Sequence, residues 1–389
     1  MNFKYYIPTK ILFGRGQLAN LHKEKLPGTR ALIVTTGGRS VVDNGYLART
    51  EEELKAAGCT FVLFNKITAN PDRSEVMDGA ALAKAENCDF IVGLGGGSPI
   101  DAAKAIAVMA TNPGDYWDYM VRGTGGGRPV SVTPLPVVAI TTTAGTGTEA
   151  DPWTVISNAA TGEKFGFGID GTFPVLAVVD PELMLTVPRD YTVFQGFDAL
   201  FHSLEGYLAN IATPISDIFA LKAVSLIAEN LPAAVFDGGD IAARENMALA
   251  NTLSGMVEST SGCISEHALE HILSGVYKNL PHGAGLIMLS VAYFSKIAEK
   301  HTSDDRLVEL AKALGNKNAK TPEDFIAALQ KLQQACGADK LKMSDYGIEK
   351  ERLREFAAAA KTQNALSFRL DPCDLSIADC AEIYERSYR

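Results

Sequence analysis

Phe90-Ile91-Val92-Gly93-Leu94-Gly95-Gly96-Gly97-Ser98-Pro99-Ile100-Asp101 is the stretch on which the fold turns. An apolar run reads as a buried strand, a glycine-rich turn follows, and the residues after it open a helix. The same alternation extends outward. Ala31 to Thr35, Phe61 to Phe64 and Val137 to Ile140 are further apolar runs rich in β-formers, and Leu47 to Ala57 and Ser74 to Glu86 are amphipathic. Strand and helix in alternation predict an open, mostly parallel sheet with helices on both faces. Past about Asp190 strand signals nearly vanish. Asp217 to Glu229, Ala242 to Ser259 and Thr321 to Cys336 are long amphipathic runs that predict a helical domain. Pro188 and Arg189-Asp190 break the pattern, so the expected division is an α/β domain over 1–187 and an all-α domain over 188–389. The glycine-rich segment Arg122 to Pro129 is expected as a surface loop or lid.

Glycines after a strand let the backbone approach a ligand closely, and the first turn of the following helix presents free N–H groups and a positive dipole end. A pyrophosphate is the natural guest. The spacing of Gly93, Gly95, Gly96 and Gly97 is neither the G-x-G-x-x-G pattern nor a P-loop. A plain strand-to-helix turn would also use glycine. A second polar cluster, Thr141-Thr142-Thr143-Ala144-Gly145-Thr146-Gly147-Thr148-Glu149, follows the run ending at Ile140. Hydroxyls at the C-terminal end of a parallel strand can bond a ribose, an amide or a phosphate. That many threonines exceed what a helix cap needs.

The bulk properties narrow the function. A chain of 389 residues is long enough for two domains with full cores, and 47% hydrophobic with 21% charged residues is ordinary for a globular protein. A net charge of −10 argues against nucleic acid and anionic membrane surfaces as partners. The N-terminal residues lack the apolar core of a signal peptide, and no long uncharged apolar stretch predicts a membrane span. The 6 cysteines are scattered without a CxxC pair, which reads as reduced thiols in a cytoplasmic protein.

Asp198 and His202 stand four apart, as do His267 and His271, and His282 follows. The chain has only 6 histidines, and four are in this set. Residues i and i+4 share one helix face, so each pair can address one ion. A carboxylate with several imidazoles suits Fe²⁺, Zn²⁺, Ni²⁺ or Co²⁺, and ligand type alone does not choose. Any one of these histidines alone would read as a core or capping residue; two such pairs plus a third histidine do not. His282 is expected to start a helix of its own. Glu205 and Glu270 are open to two readings, as groups that back the ligands or as ordinary solvated residues, with the second preferred; His22 and His301 are read as surface residues, and no cysteine as part of a site.

At this point the chain resembles the iron-containing, group III alcohol dehydrogenases over nearly its whole length. The resemblance rests on Phe13-Gly14-Arg15-Gly16, on Gly95-Gly96-Gly97-Ser98 with Asp101 and Lys104, and on Thr142-Thr143-Ala144-Gly145-Thr146-Gly147. It continues through Asp180-Pro181-Glu182-Leu183, Gly196-Phe197-Asp198-Ala199-Leu200, Pro281-His282-Gly283 and Asp371-Pro372. It implies a Rossmann-like dinucleotide-binding domain followed by an all-α domain, the dehydroquinate synthase-like fold. It implies that Asp198, His202, His267 and His282 ligate Fe²⁺ (or Zn²⁺), with His271 beside the nicotinamide for proton transfer or substrate positioning. Gly95, Gly96, Gly97 and Ser98 would hold the pyrophosphate. Asp101, Thr142, Thr143, Thr146 and Lys164 would contact cofactor. The activity implied is hydride exchange between a small alcohol or aldehyde and NAD or NADP, in a homodimer. Where many NAD-using members carry an aspartate after the first strand, this chain has Thr35-Thr36-Gly37-Gly38-Arg39-Ser40. An acidic residue there would repel a 2′-phosphate, so Gly38, Arg39 and Ser40 are assigned to the adenosine end, with NADP preferred.

Two other readings compete with this one. A dehydroquinate synthase-like lyase would share fold, metal and NAD, but needs several basic residues for a phosphorylated, carboxylated substrate. Around the metal set the sequence offers mainly Ser, Leu, Phe and Ala. A non-catalytic nucleotide-binding protein would account for the glycine loop and leave the metal set without a reason.

Overall fold

The computed structural model describes residues 2–389 and divides into two compact units, one over residues 6–186 and one over 187–389 with the residues up to Tyr5. In the first unit the strands are β1 (Lys10–Phe13), β2 (Arg30–Thr36), β3 (Thr60–Ile67), β4 (Phe90–Gly95), β5 (Val137–Thr141), β6 (Thr154–Asn158), β7 (Glu163–Phe167) and β8 (Leu176–Val179). Six of them form a wholly parallel sheet in the order β1-β8-β5-β4-β2-β3. The remaining two, β6 and β7, pair as an antiparallel hairpin. The helices here are α1 (Ser40–Asp43), α2 (Tyr46–Ala56), α3 (Arg73–Ala85) and α4 (Gly97–Thr111).

The apolar runs are continuous because both sheet faces are covered. Leu32, Val34 and Ile91 belong to a core with residues of α3 and α4. Their alternates Ala31, Ile33, Phe90 and Val92 belong to a second core with residues of α2. Helix α3 starts where Asp72 accepts the Ser74 N–H and Glu75 accepts the Asp72 N–H, a reciprocal cap. Helix α4 is buried from Pro99 to Met109, so it has no polar face and no clean helical period. Two of the motifs quoted above meet at Asp180. Its carboxylate accepts the N–H groups of Gly16 and Leu18, tying the turn after β1 to the end of β8.

The glycine-rich segment from Arg122 is a loop, but its backbone is pinned. Gly126 N–H donates to Trp117 O, Gly127 N–H to Met120 O and Arg128 N–H to Asp118 O. Glu163 on β7 accepts both the N–H and the hydroxyl of Thr124.

The second unit is helical: α5 (Arg189–Leu208), α6 (Pro214–Phe236), α7 (Ile241–Ser261), α8 (Ser265–Val276), α9 (His282–Glu299), α10 (Asp304–Ala313), α11 (Pro322–Cys336), α12 (Leu353–Gln363), α13 (Ala365–Leu370) and α14 (Ile377–Ser387). Helices α5, α6 and α7 pack on one another, and α9 packs on α5 and α8. By length and composition α6 is apolar enough to cross a membrane. It carries Asp217, Lys222 and Glu229 and packs between neighbours, which are properties of a core helix.

Candidate functional site

Three helices of the second unit, α5, α8 and α9, bring the candidate ligands together. Asp198 and His202 lie one turn apart on α5, His267 and His271 one turn apart on α8, and His282 is the first residue of α9. The Nε2 atoms of His202, His267 and His282 stand 3.8, 3.7 and 3.5 Å from Asp198 Oδ1. The rings of His202 and His267 stack with centroids 4.6 Å apart. His271 is half-buried, its ring centroid 5.2 Å from that of His282 and 6.2 Å from that of His267. His22 and His301 lie elsewhere, against Glu53 and Asp304.

The electrostatics favour a charged centre. Burial works to raise the Asp198 carboxyl, but His202, His267 and His282 outweigh it and hold the group well below the usual carboxylate range. Burial opposes charge on His267, yet Cys263, Glu205 and Asp198 around it hold the imidazole well above its ordinary value.

Two carboxylates organise the imidazoles from behind, and here the expectation from sequence is corrected. Glu205 and Glu270 were expected to be solvated; both are wholly buried. Glu205 Oε1 meets His267 Nδ1, and its Oε2 accepts the Ile264 N–H at 2.8 Å. Glu270 Oε2 meets His282 Nδ1 and accepts the Ser274 hydroxyl at 3.2 Å. Each carboxylate draws an Nδ1 proton toward itself, so each Nε2 is the ring atom turned to the centre, free to give up its own proton when an ion binds. Gly285 on α9 makes room for this: a Cβ there would lie 2.7 Å from Glu270 Oε1. Glu205 lies three residues after His202 and Glu270 just before His271, but neither spacing distinguishes a buried partner from a solvated helix face. Burial, then the neighbouring Glu205, pushes the Glu266 carboxyl well above its usual range, so it sits neutral beside Glu205.

Cys263 also stands beside these histidines, where no cysteine is expected from sequence. It offers a ligand atom within 4.8 Å of those of His202 and His267. A cysteine four residues before His267 was the available signal.

A divalent ion fits this donor set. Asp198 Oδ1 and His267 Nε2 are buried polar atoms with no hydrogen-bond partner. Burying such groups unsatisfied is costly, which an ion between them removes. Four ligands at ~2.1 Å from one ion stand ~3.4 Å apart in a tetrahedron. The 3.5–3.8 Å spacing about Asp198 Oδ1 is close to that; Asp198, His267 and His282 offer ligand atoms within 4.8 Å of one another, while His202 meets that limit in a group with Cys263 and His267.

In the first unit the glycine loop and the threonine cluster are packed together. Gly95 has φ 141°, and its carbonyl accepts the Thr142 N–H at 2.8 Å. A Cβ on Gly97 would lie 2.5 Å from Thr146 Cγ2, and one on Gly96 would lie 3.0 Å from Thr143 Cγ2. Gly97 and Ser98 form the first turn of α4. The threonines divide: Thr141 bonds the Thr143 carbonyl and Thr148 bonds Asp101, while Thr142, Thr143 and Thr146 flank the glycines.

Asp101, read from sequence as a cofactor contact, is turned inward. Its oxygens accept the Thr148 hydroxyl at 2.6 Å and the Val155 N–H at 2.9 Å. Lys104, one turn along α4, is fully buried and donates to Thr148, Asp151 and Trp153. The pair anchors the β6–β7 hairpin to α4. Lys164 is buried on β7, where its charge partly offsets the rise that burial imposes on Asp101. Gly38, Arg39 and Ser40 are exposed after β2, and the Arg39 guanidinium is bound to Asp43 at 3.0 Å.

The family described as iron-containing alcohol dehydrogenase matches residues 8–181, and the Fe-containing alcohol dehydrogenase family, C-terminal, matches 192–388. The chain is 33% identical to 1,3-propanediol dehydrogenase of Klebsiella pneumoniae over 376 residues, 94% of each chain. It is 35% identical to NAD-dependent methanol dehydrogenase of Bacillus methanolicus over 365 residues, 92% of each. The crystal structure of an archaeal halo-thermophilic Red Sea brine pool alcohol dehydrogenase superimposes with a TM-score of 0.94 at 33% identity, covering 100% of this chain and 99% of the other. These relatives favour the dehydrogenase over the lyase. The chain belongs to the iron-containing alcohol dehydrogenase family, and it is an alcohol oxidoreductase of that type.

Proposed function

We propose that this enzyme interconverts a small, weakly charged alcohol and its aldehyde with NAD(H), using one divalent iron held by Asp198, His202, His267 and His282. One observation carries the metal assignment: three imidazole nitrogens surround a single buried carboxylate oxygen that has no hydrogen-bond partner. The donor types suit zinc as well, and the family favours iron.

When bound, the metal polarises the substrate oxygen as a Lewis acid and the nicotinamide carries the hydride. Glu205 and Glu270 keep His267 and His282 in the Nδ1–H tautomer, so that the Nε2 lone pairs point inward. A ring nitrogen of His271 holds the proton that leaves the alcohol oxygen or returns to it; its half-exposed place beside His282 supports that role. Gly95, Gly96, Gly97 and Ser98 hold the pyrophosphate with Thr142, Thr143 and Thr146 beside it, and Lys164 serves the ribose. At the adenosine end the NADP preference expected from sequence is countered by Asp43, whose carboxylate pairs with Arg39 and would stand near a 2′-phosphate. The NAD-dependent methanol dehydrogenase among the relatives also supports NAD(H).

The test is metal analysis of the purified full-length chain with nicotinamide assays. A panel of alcohols and aldehydes is run with NAD(H) and NADP(H), with Fe²⁺ or Zn²⁺ added. The expected result is one divalent ion per chain and metal-dependent turnover of small alcohols. Full activity in a metal-free preparation would overturn the reading.

A further inference from the structure

Cys263 stands in the bend Gly262-Cys263-Ile264 between α7 and α8, and its thiol is reduced and half-buried. Ligand atoms of His202, Cys263 and His267 lie within 4.8 Å of one another. His267 Nδ1 is committed to Glu205, so the donor it has to offer is Nε2, a buried atom with no hydrogen-bond partner. Glu258, near the end of α7, brings a carboxylate oxygen to 3.7 Å from His202 Nε2. Among the described residues none of the other cysteines joins such a group. Two imidazoles and one sulfur form a softer donor set than a carboxylate with imidazoles, and softness favours zinc over iron.

We propose that Cys263 gives the metal pocket a second, sulfur-bearing face, His202–Cys263–His267, which takes a thiophilic divalent ion such as Zn²⁺. The proposal rests on the reading of Asp198 and its histidines as the metal centre. The two faces share His202 and His267, so they hold one ion in alternation. An ion on the sulfur face is drawn away from Asp198 and His282. The thiol proton leaves to solvent as the metal–sulfur bond forms, and no oxidation state changes. Excess zinc therefore occupies the pocket unproductively in this chain.

The test uses the metal-free full-length protein, Cys263→Ser and His282→Ala, each checked for folding by circular dichroism. Co²⁺ is followed by absorbance and Zn²⁺ by chelator competition. Wild type and His282→Ala are expected to show a near-ultraviolet sulfur-to-cobalt charge-transfer band that Cys263→Ser lacks. Losing a true ligand should cost at least what losing an outer-shell partner costs, so Zn²⁺ affinity in Cys263→Ser is expected to fall roughly tenfold or more. Absence of the band from both wild type and His282→Ala overturns the proposal, as does unchanged zinc affinity in Cys263→Ser. Wild-type protein that binds neither ion defeats the metal reading itself.

Discussion

Glu205 on α5 reaches across to His267 on α8, and that contact joins the helix carrying Asp198 and His202 to the helix carrying His267. Glu270 on α8 repeats the device toward His282 on α9. Each carboxylate fixes the tautomer of an imidazole on another helix, so the donor set is oriented before any ion arrives. Replacing Glu205 or Glu270 with Gln keeps the shape and removes the charge. Each change is expected to weaken metal binding about 10–100-fold, read by chelator competition. Gly285→Ala should act in the same direction, because its Cβ would meet Glu270 at 2.7 Å. Wild-type affinity in all three variants would remove the carboxylates from the design.

His271 separates ligation from proton handling. His271→Ala is expected to lower kcat by about 10²–10⁴ while the metal content stays at the wild-type value. Metal loss in that variant would make His271 a ligand.

Gly97 is the tightest point between the glycine loop and the threonine cluster, since an added Cβ would lie 2.5 Å from Thr146 Cγ2. Gly97→Ala forces the two loops apart. Nicotinamide nucleotide binding is expected to weaken about tenfold, or ~1.4 kcal/mol, by fluorescence titration, with metal content unaffected. Undiminished binding would place the pyrophosphate elsewhere.

Asp43 is the proposed brake on NADP use. Asp43→Asn frees the Arg39 guanidinium, which is held at 3.0 Å in the wild type. The ratio of kcat/KM for NADP to that for NAD is expected to rise several-fold, and Arg39→Ala should not raise it. An unchanged ratio in Asp43→Asn would dismiss the pair as a determinant.

Asp371 bears on stability and pH. Burial, offset in part by bonds from Ser265, pushes its carboxyl up to about 7. The unfolded group titrates at ~3.9. Between these values the folded chain binds more protons than the unfolded chain, so this residue's contribution to stability falls as pH rises from about 4 to about 7. Asn keeps an acceptor for the Ser265 N–H at that position. The stability of Asp371→Asn relative to wild type is therefore expected to increase between pH 5 and pH 8 in urea unfolding. A pH-independent difference would show that the group is not titrating there.

Much of the fold was legible because its signals are local. The runs at Ala31, Phe61, Phe90 and Val137 became β2, β3, β4 and β5, and the runs expected as helices became α2, α3, α6, α7 and α11, α6 being apolar and not amphipathic. The edge strand β1, the four-residue β8 and the β6–β7 hairpin were not legible. Short strands carry little periodicity, and their pairing depends on partners distant in sequence. The inward turn of Asp101 was also hidden: a carboxylate just after a glycine loop looks the same whether it faces a ligand or a buried lysine.

The sequence by itself determined that Asp198 and His202 share one helix face and His267 and His271 another, because helical spacing is a property of a few consecutive residues. Only the tertiary structure decided that Glu205 and Glu270 stand behind the imidazoles and that Cys263 joins them. Those relations span separate helices, and burial, which makes a carboxylate seek a partner, arises only when the helices pack.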